Sequence, residues 1–204
     1  YSVKGKLFIL SGPSGVGKGT VRDAILANSK VNLTYSISMT TRNKRPGERD
    51  GIDYYFTTRD RFEEAIGKGE LLEWTEFVGN YYGTPLEAVE RLRNMGKNVL
   101  LEIEVEGAIQ VKRKVPDCVM IFIVPPGKQA LYDRLKRRGT ESDEVIEERI
   151  TKANREFKLA HLYDYIVVND DLSLAVEDFI TVLKSNKLLL KNQKYLIDEV
   201  LKNA

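Results

Sequence analysis

Leu7-Phe8-Ile9-Leu10-Ser11-Gly12-Pro13-Ser14-Gly15-Val16-Gly17-Lys18-Gly19-Thr20 leads from an apolar strand through a glycine-rich turn into a helix. Gly12, Gly15 and Gly17 can adopt backbone angles closed to other residues. Successive N–H groups can therefore curl around an anion at a helix N-terminus whose dipole already favours negative charge. Lys18 adds a mobile cation to that cradle. The stretch fits G-x-x-x-x-G-K-[ST] up to its last position, where Gly19 replaces the usual hydroxyl residue and Thr20 supplies one a residue later. The reading is a nucleotide held by its phosphates, with Thr20 organising a magnesium ion either directly or through a water. A bare glycine turn before a helix is the alternative. The apolar strand in front and the helix-forming Val21-Arg22-Asp23-Ala24-Ile25-Leu26 behind are the context that favours the cradle.

Working outward, short apolar runs rich in β-branched residues recur at Leu7 to Leu10, Val99 to Ile103, Val119 to Val124 and Tyr165 to Val168, separated by segments of helical periodicity. Strands this uniformly apolar are covered on both faces, which predicts an α/β fold with a parallel sheet and ligands beyond the strands' carboxyl ends. Two stretches break the alternation. Residues 34–82 are rich in Thr, Tyr, Arg and Gly, with strand-like pieces at 54–56 and 74–78 around a short helix near 59–66, and read as an inserted mixed lobe. Residues 134–143 pack cations against a turn, after which Thr140 or Ser142 caps a helix carrying Ile146, Ile150 and Phe157 on one face and Arg149 off it. This segment is expected to cover the phosphates. From Leu188 onward a Lys-, Asn- and Leu-rich tail reads as a surface helix.

The chain of 204 residues suits one domain with insertions. Charged residues make up 30% of it, yet the net charge is only +2, so it lacks the sequence-wide basic excess of a nucleic-acid binder. No apolar run reaches the length of a membrane span, and no leader-like segment opens the sequence; a cytoplasmic protein without membrane or nucleic-acid partners is expected. Cys118, the single cysteine, borders the apolar run 119–124 and reads as a buried small hydrophobe. No pattern speaks to oligomeric state.

The loop together with Ser36 to Glu48, Gly79-Asn80-Tyr81-Tyr82-Gly83-Thr84, Glu102-Ile103-Glu104-Val105-Glu106-Gly107 and Gly139-Thr140-Glu141 resembles the guanylate kinases from about Lys6 to Asp171. The resemblance implies one domain over 1–204 with a three-layer P-loop kinase core at about 1–33, 96–126 and 156–204. It also implies a mixed α+β GMP-binding lobe at about 34–95 and a helical lid at about 127–155. The implied activity is transfer of the γ-phosphoryl group of ATP to GMP with Mg2+. ATP would be held by Gly12, Pro13, Ser14, Gly15, Val16, Gly17, Lys18, Gly19 and Thr20, with the lid arginines Arg134 and Arg138 and with Asn169 near adenine. GMP would be held by Ser38, Arg42, Arg45, Tyr54, Glu73, Tyr82, Thr84, Glu104 and Arg149. Lys18, Arg42, Arg134, Arg138 and Arg149 would stabilise the transferring group, and Thr20 with Glu102 would bind the metal.

These assignments make chemical sense. Arg42 and Arg45, three apart before Pro46-Gly47, can converge two guanidinium forks on one phosphate, although a solvated basic turn would carry the same residues. Guanine offers donors at N1 and N2, which suit a carboxylate at Glu73; adenine would set an acceptor against an acceptor. Glu102 and Glu104 read as alternate positions of one strand, pointing to the same side. Two other functions fit parts of the pattern. A phosphopeptide-binding module on the same fold would use Arg42, Arg45 and Tyr54 but has no need of Lys18, Thr20, Arg134 and Arg138. A sugar-phosphate kinase would give Glu73, Ser38 and Thr84 nothing to read.

Overall fold

A computed structural model describes residues 3–137 and 142–203, so Arg138, Gly139, Thr140 and Glu141 of the expected lid lie outside the described residues. The chain begins β1 (Leu7–Ser11), α1 (Lys18–Ala27), β2 (Thr34–Tyr35), β3 (Met39–Thr40), β4 (Tyr55–Phe56) and α2 (Arg59–Gly67). It continues β5 (Leu71–Phe77), β6 (Asn80–Pro85), α3 (Leu86–Asn94), β7 (Val99–Glu102), α4 (Val105–Lys114) and β8 (Val119–Val124). It closes with α5 (Lys128–Arg137), α6 (Asp143–Lys158), β9 (Tyr165–Val168), α7 (Leu172–Lys187) and α8 (Leu190–Lys202).

Five strands form one parallel sheet in the order β2-β7-β1-β8-β9. Side chains of β1 alternate between two cores. Phe8 and Leu10 join Val21 and Ile25 of α1, Phe179 of α7 and Ile146 of α6. Leu7 and Ile9 join Val89 of α3, and Ala108 and Val111 of α4. Each fully buried Leu, Ile or Phe contributes about 1.5–3 kcal/mol. With both faces covered, a strand needs no polar side, which is why these segments read as unbroken apolar runs.

The second sheet, β4-β3-β6-β5, is mixed: β3 and β4 run parallel, and β6 is antiparallel to both β3 and β5. Its own core is small, built on Phe62, Ala65, Leu71 and Tyr81. A register shift between Leu71 and Glu73 separates the two sheets' claims on β5. Leu71 faces the small core, Leu72 packs with the main core, and Glu73 comes to lie opposite Thr84. A bulge re-aims a side chain in this way because the extra residue falls out of the ladder.

Four expectations are corrected. Thr34–Tyr35, assigned by sequence to the inserted lobe, hydrogen-bonds to β7 as an edge strand of the main sheet. α3 also belongs to the main core by its packing, through Val89, Leu86 and Leu92. Glu104 is not a strand residue: β7 ends at Glu102, and Glu104 is the N-cap of α4. β9 also departs from the expectation of strands covered on both faces: as an edge strand it buries Val167 and leaves Ile166 and Val168 exposed. Ser142 accepts from Val145 N and caps α6, Cys118 is buried, and α8 has no buried residue. Among the described residues, no helix is long and apolar enough to cross a membrane.

Candidate active site

The phosphate loop leaves the carboxyl end of β1 and enters α1 at Gly17, its N-cap. Gly15 and Gly17 have φ of 88° and 84°, in the left-handed region where a Cβ is strained. Between them Val16 is fully buried and anchors the loop. The Lys18 ammonium donates to Gly12 O at 2.7 Å and lies 3.8 Å from Glu104 Oε1. Asn169, expected near adenine, is turned inward instead. Its Nδ2 donates to Val16 O at 2.7 Å, and its own carbonyl accepts from Arg134 Nη2 at 2.7 Å. Arg134, from α5, also donates through Nη1 to Val16 O at 3.5 Å, so both residues brace the loop.

Lys18 lines one cavity of about 680 Å³ together with Ser38, Tyr54, Glu73, Tyr82, Glu102 and Glu104. The loop's cation and the lobe's acid therefore share a single space. Glu73 is only 4% exposed, and Thr84 Oγ1 donates to its Oε1 at 2.8 Å. Burial pushes the Glu73 carboxyl up to about 7 against the opposing effect of that hydrogen bond. Thr84 is wholly buried and holds the acid rather than lining the cavity. Burial alone would raise the Glu104 carboxyl too, yet Lys18 and Lys152 keep it below the ordinary carboxylate range. Lys152, on α6, donates to Glu104 Oε2 at 3.0 Å and sits over the Phe77 ring at 5.6 Å, joining the expected lid to both the core and the lobe.

Arg42 lies over Tyr54 at 5.3 Å and Phe56 at 5.9 Å, and Tyr54 meets Tyr82 edge-on at 6.3 Å. Its guanidinium is engaged in two parallel 2.8 Å bonds to the Glu48 carboxylate. Arg45 is exposed, and its backbone N donates to the same carboxylate at 2.7 Å. Arg149 is half-buried on α6. Thr20 is exposed in the first turn of α1, and Glu102 is bonded at 2.5 Å to Arg22 of the same helix. Among the described residues no group of three His, Cys, Asp or Glu forms a dedicated metal cage.

Sequence reasoning assigned no role to Glu48, Lys152 or Arg22. Glu48 carried a signal: Pro46-Gly47 demands a tight turn, which brings the next residue back onto Arg45. Lys152 and Arg22 carried none, since a basic residue on an amphipathic helix is ordinary.

A family model described as guanylate kinase matches residues 4–186. The chain is 52% identical to the guanylate kinase of Streptococcus pneumoniae (strain ATCC BAA-255 / R6) over 198 residues, covering 97% of this chain and 92% of that relative. It is 53% identical to the guanylate kinase of Lactococcus lactis subsp. lactis (strain IL1403) over 198 residues, covering 97% and 93%. The crystal structure of guanylate kinase from Anaplasma phagocytophilum superposes with a TM-score of 0.73 at 31% identity, covering 92% of this chain and 88% of that one.

Proposed function

This chain belongs to the guanylate kinase family, and from that premise we propose that it transfers the γ-phosphoryl group of ATP to GMP, giving ADP and GDP. One observation carries the choice of acceptor: Glu73, held from behind by the buried Thr84 hydroxyl, lines the same cavity as Lys18. An ionised Glu73 accepts from guanine N1–H and N2–H, whereas adenine would leave two acceptors opposed.

The donor's phosphates lie in the backbone cradle of residues 12–20, with Lys18 leaving Gly12 O for the phosphate oxygens. Arg134, beside Asn169 and Val16, neutralises charge that spreads over the transferring group, together with Arg138 and Arg149. Arg42, Arg45, Tyr54 and Tyr82 hold the acceptor phosphate, and Ser38 and Glu104 complete the nucleoside pocket. No general base is required, because the GMP phosphate is already an anionic nucleophile; positioning and electrostatics carry the catalysis. Closing the α6 segment over the cavity excludes water and protects ATP from hydrolysis.

The donor set suits magnesium held largely by substrate. Thr20 and Glu102 offer one hydroxyl and one carboxylate, and Arg22, two residues beyond Thr20, ties Glu102 to the same helix. Mg2+ in nucleotide sites takes one or two protein oxygens and the rest from phosphates and water. When bound it neutralises charge on the β- and γ-phosphates.

An ADP-release assay comparing GMP with AMP, CMP and UMP tests the proposal. GMP is expected to lead in kcat/KM by about a thousandfold or more. Equal turnover of AMP would overturn the guanine assignment.

A further inference from the structure

Glu48 stands outside every role assigned above, yet its carboxylate is the hub of the phosphate-facing turn. Arg45, Pro46, Gly47 and Glu48 form a tight turn closed by Glu48 N donating to Arg45 O at 3.0 Å, with Gly47 at φ 88°. Proline followed by a positive-φ glycine is the signature of type II. The turn folds the Glu48 side chain back, so that Oε1 accepts from Arg45 N at 2.7 Å. The same carboxylate then takes both ends of the Arg42 fork, Nη1 to Oε1 and Nη2 to Oε2, each at 2.8 Å.

Counting donors shows what this leaves. Arg42 Nη1 spends its second hydrogen on Asn43 O at 2.8 Å. Nη2 has given one hydrogen to Glu48, so the N–H groups still uncommitted among the described residues are Nε–H and the outer Nη2–H. In a planar guanidinium those two point the same way and form the side-on fork that matches two oxygens of one phosphate. The rings of Tyr54 and Phe56 lie beneath the guanidinium and hold its plane.

We infer that Glu48 is a positioning residue for the acceptor phosphate: by occupying the Nη1/Nη2 edge of Arg42 it aims the Nε/Nη2 edge at GMP. This rests on the reading that Arg42 binds that phosphate. The carboxylate is suited to this post, since the bonds from Arg42 and Arg45 N pull it down to about 2. Pre-orientation also makes a prediction opposite to simple electrostatics. A carboxylate this close to an incoming phosphate repels it, so a Glu48 that merely competed for Arg42 would weaken GMP binding, and its removal would tighten it.

Calorimetric titration of GMP and of guanosine, which has no phosphate, into Glu48→Gln, Glu48→Ala and Arg42→Ala separates the cases. Glu48→Ala is expected to weaken GMP binding about tenfold, the loss of roughly one charge-assisted hydrogen bond. Glu48→Gln, which keeps the shape and part of the bonding, is expected to lose about threefold. Guanosine affinity is expected to be unchanged in both. Unchanged or tighter GMP binding in Glu48→Ala and Glu48→Gln, alongside weakened binding in Arg42→Ala, overturns the role of Glu48 alone. Equal losses for GMP and guanosine in the Glu48 variants show a merely structural residue and overturn it as well. Undiminished GMP binding in Arg42→Ala overturns the phosphate reading of Arg42, and with it this inference.

Discussion

The two ends of the cavity are built by opposite means. At the phosphate loop the working groups are backbone amides, and their positions are set by the fully buried Val16 and by the Asn169 and Arg134 contacts to main-chain atoms. On the acceptor side the groups proposed to work are side chains held by other side chains: Glu73, in the cavity lining, by Thr84, and Arg42, behind the lining Tyr54, by Glu48 and the Tyr54 ring. The loop draws its rigidity from the large two-sided core of the parallel sheet. The lobe rests on a cluster of four buried residues, Phe62, Ala65, Leu71 and Tyr81. On the proposed reading a backbone cradle serves any triphosphate and a side-chain pocket one base, so the general part of the site sits on the larger core. Local stability differs within one chain because it follows the buried apolar contacts beneath each element.

Emptying the lobe's small core breaks this comparison most severely. Phe62→Ala is expected to cost about 3–5 kcal/mol locally and to abolish measurable GMP binding while an ATP analogue still binds; calorimetry with each ligand reads both. Loss of both together would mean that the two cores form one cooperative unit. A smaller effect is expected from the other side. Asn169→Ala takes the 2.7 Å donor from Val16 O and leaves it only the 3.5 Å contact from Arg134 Nη1, at about 1 kcal/mol, and should weaken the ATP analogue while sparing guanosine. Thermal unfolding with each ligand present would show whether the loss is confined to the donor.

The mildest test uses pH. Glu73, pushed up to about 7, titrates near neutrality, and only its carboxylate form accepts from both guanine N1–H and N2–H. Guanosine affinity should therefore rise up to about tenfold per pH unit below that value and level off above it. Guanosine removes the confounding titration of a phosphate. Glu73→Gln should bind more weakly and without the slope. Stability moves the other way: because the folded value lies above the unfolded one, the neutral acid stabilises the fold below about 4.3, and that contribution is lost as pH rises through about 7. The denaturant midpoint of the unsubstituted protein should therefore fall relative to that of Glu73→Gln as pH rises from about 4 to about 7.

Much of this arrangement was legible in the residues. Strands β1, β7 and β8 announced themselves because burial on both faces leaves no polar alternation to confuse, β9 because its exposed Ile166 and Val168 are apolar all the same, and Gly15 and Gly17 because φ near +85° has few other occupants. β2 did not, since Thr34–Tyr35 is too short and too polar to carry a periodic signal; only its pairing with β7 makes it a strand. Glu104 was misplaced for a related reason. Ile103 N still bonds to Leu10 O at 3.1 Å, and nothing in the residue string shows that the chain turns into α4 one position later.

What the amino-acid order determined alone is chemistry at fixed spacing: a glycine-rich turn ending in a lysine, and a pair of arginines before a proline-glycine turn. Local backbone preference and hydrogen-bonding capacity are properties of neighbouring residues, so they survive without a fold. Which charges meet was decided only in three dimensions. Arg22 on Glu102, Lys152 on Glu104 and Asn169 on Val16 all depend on distances that the folded core imposes. Burial sets the protonation of Glu73 for the same reason, because desolvation belongs to the packed interior and not to the glutamate itself.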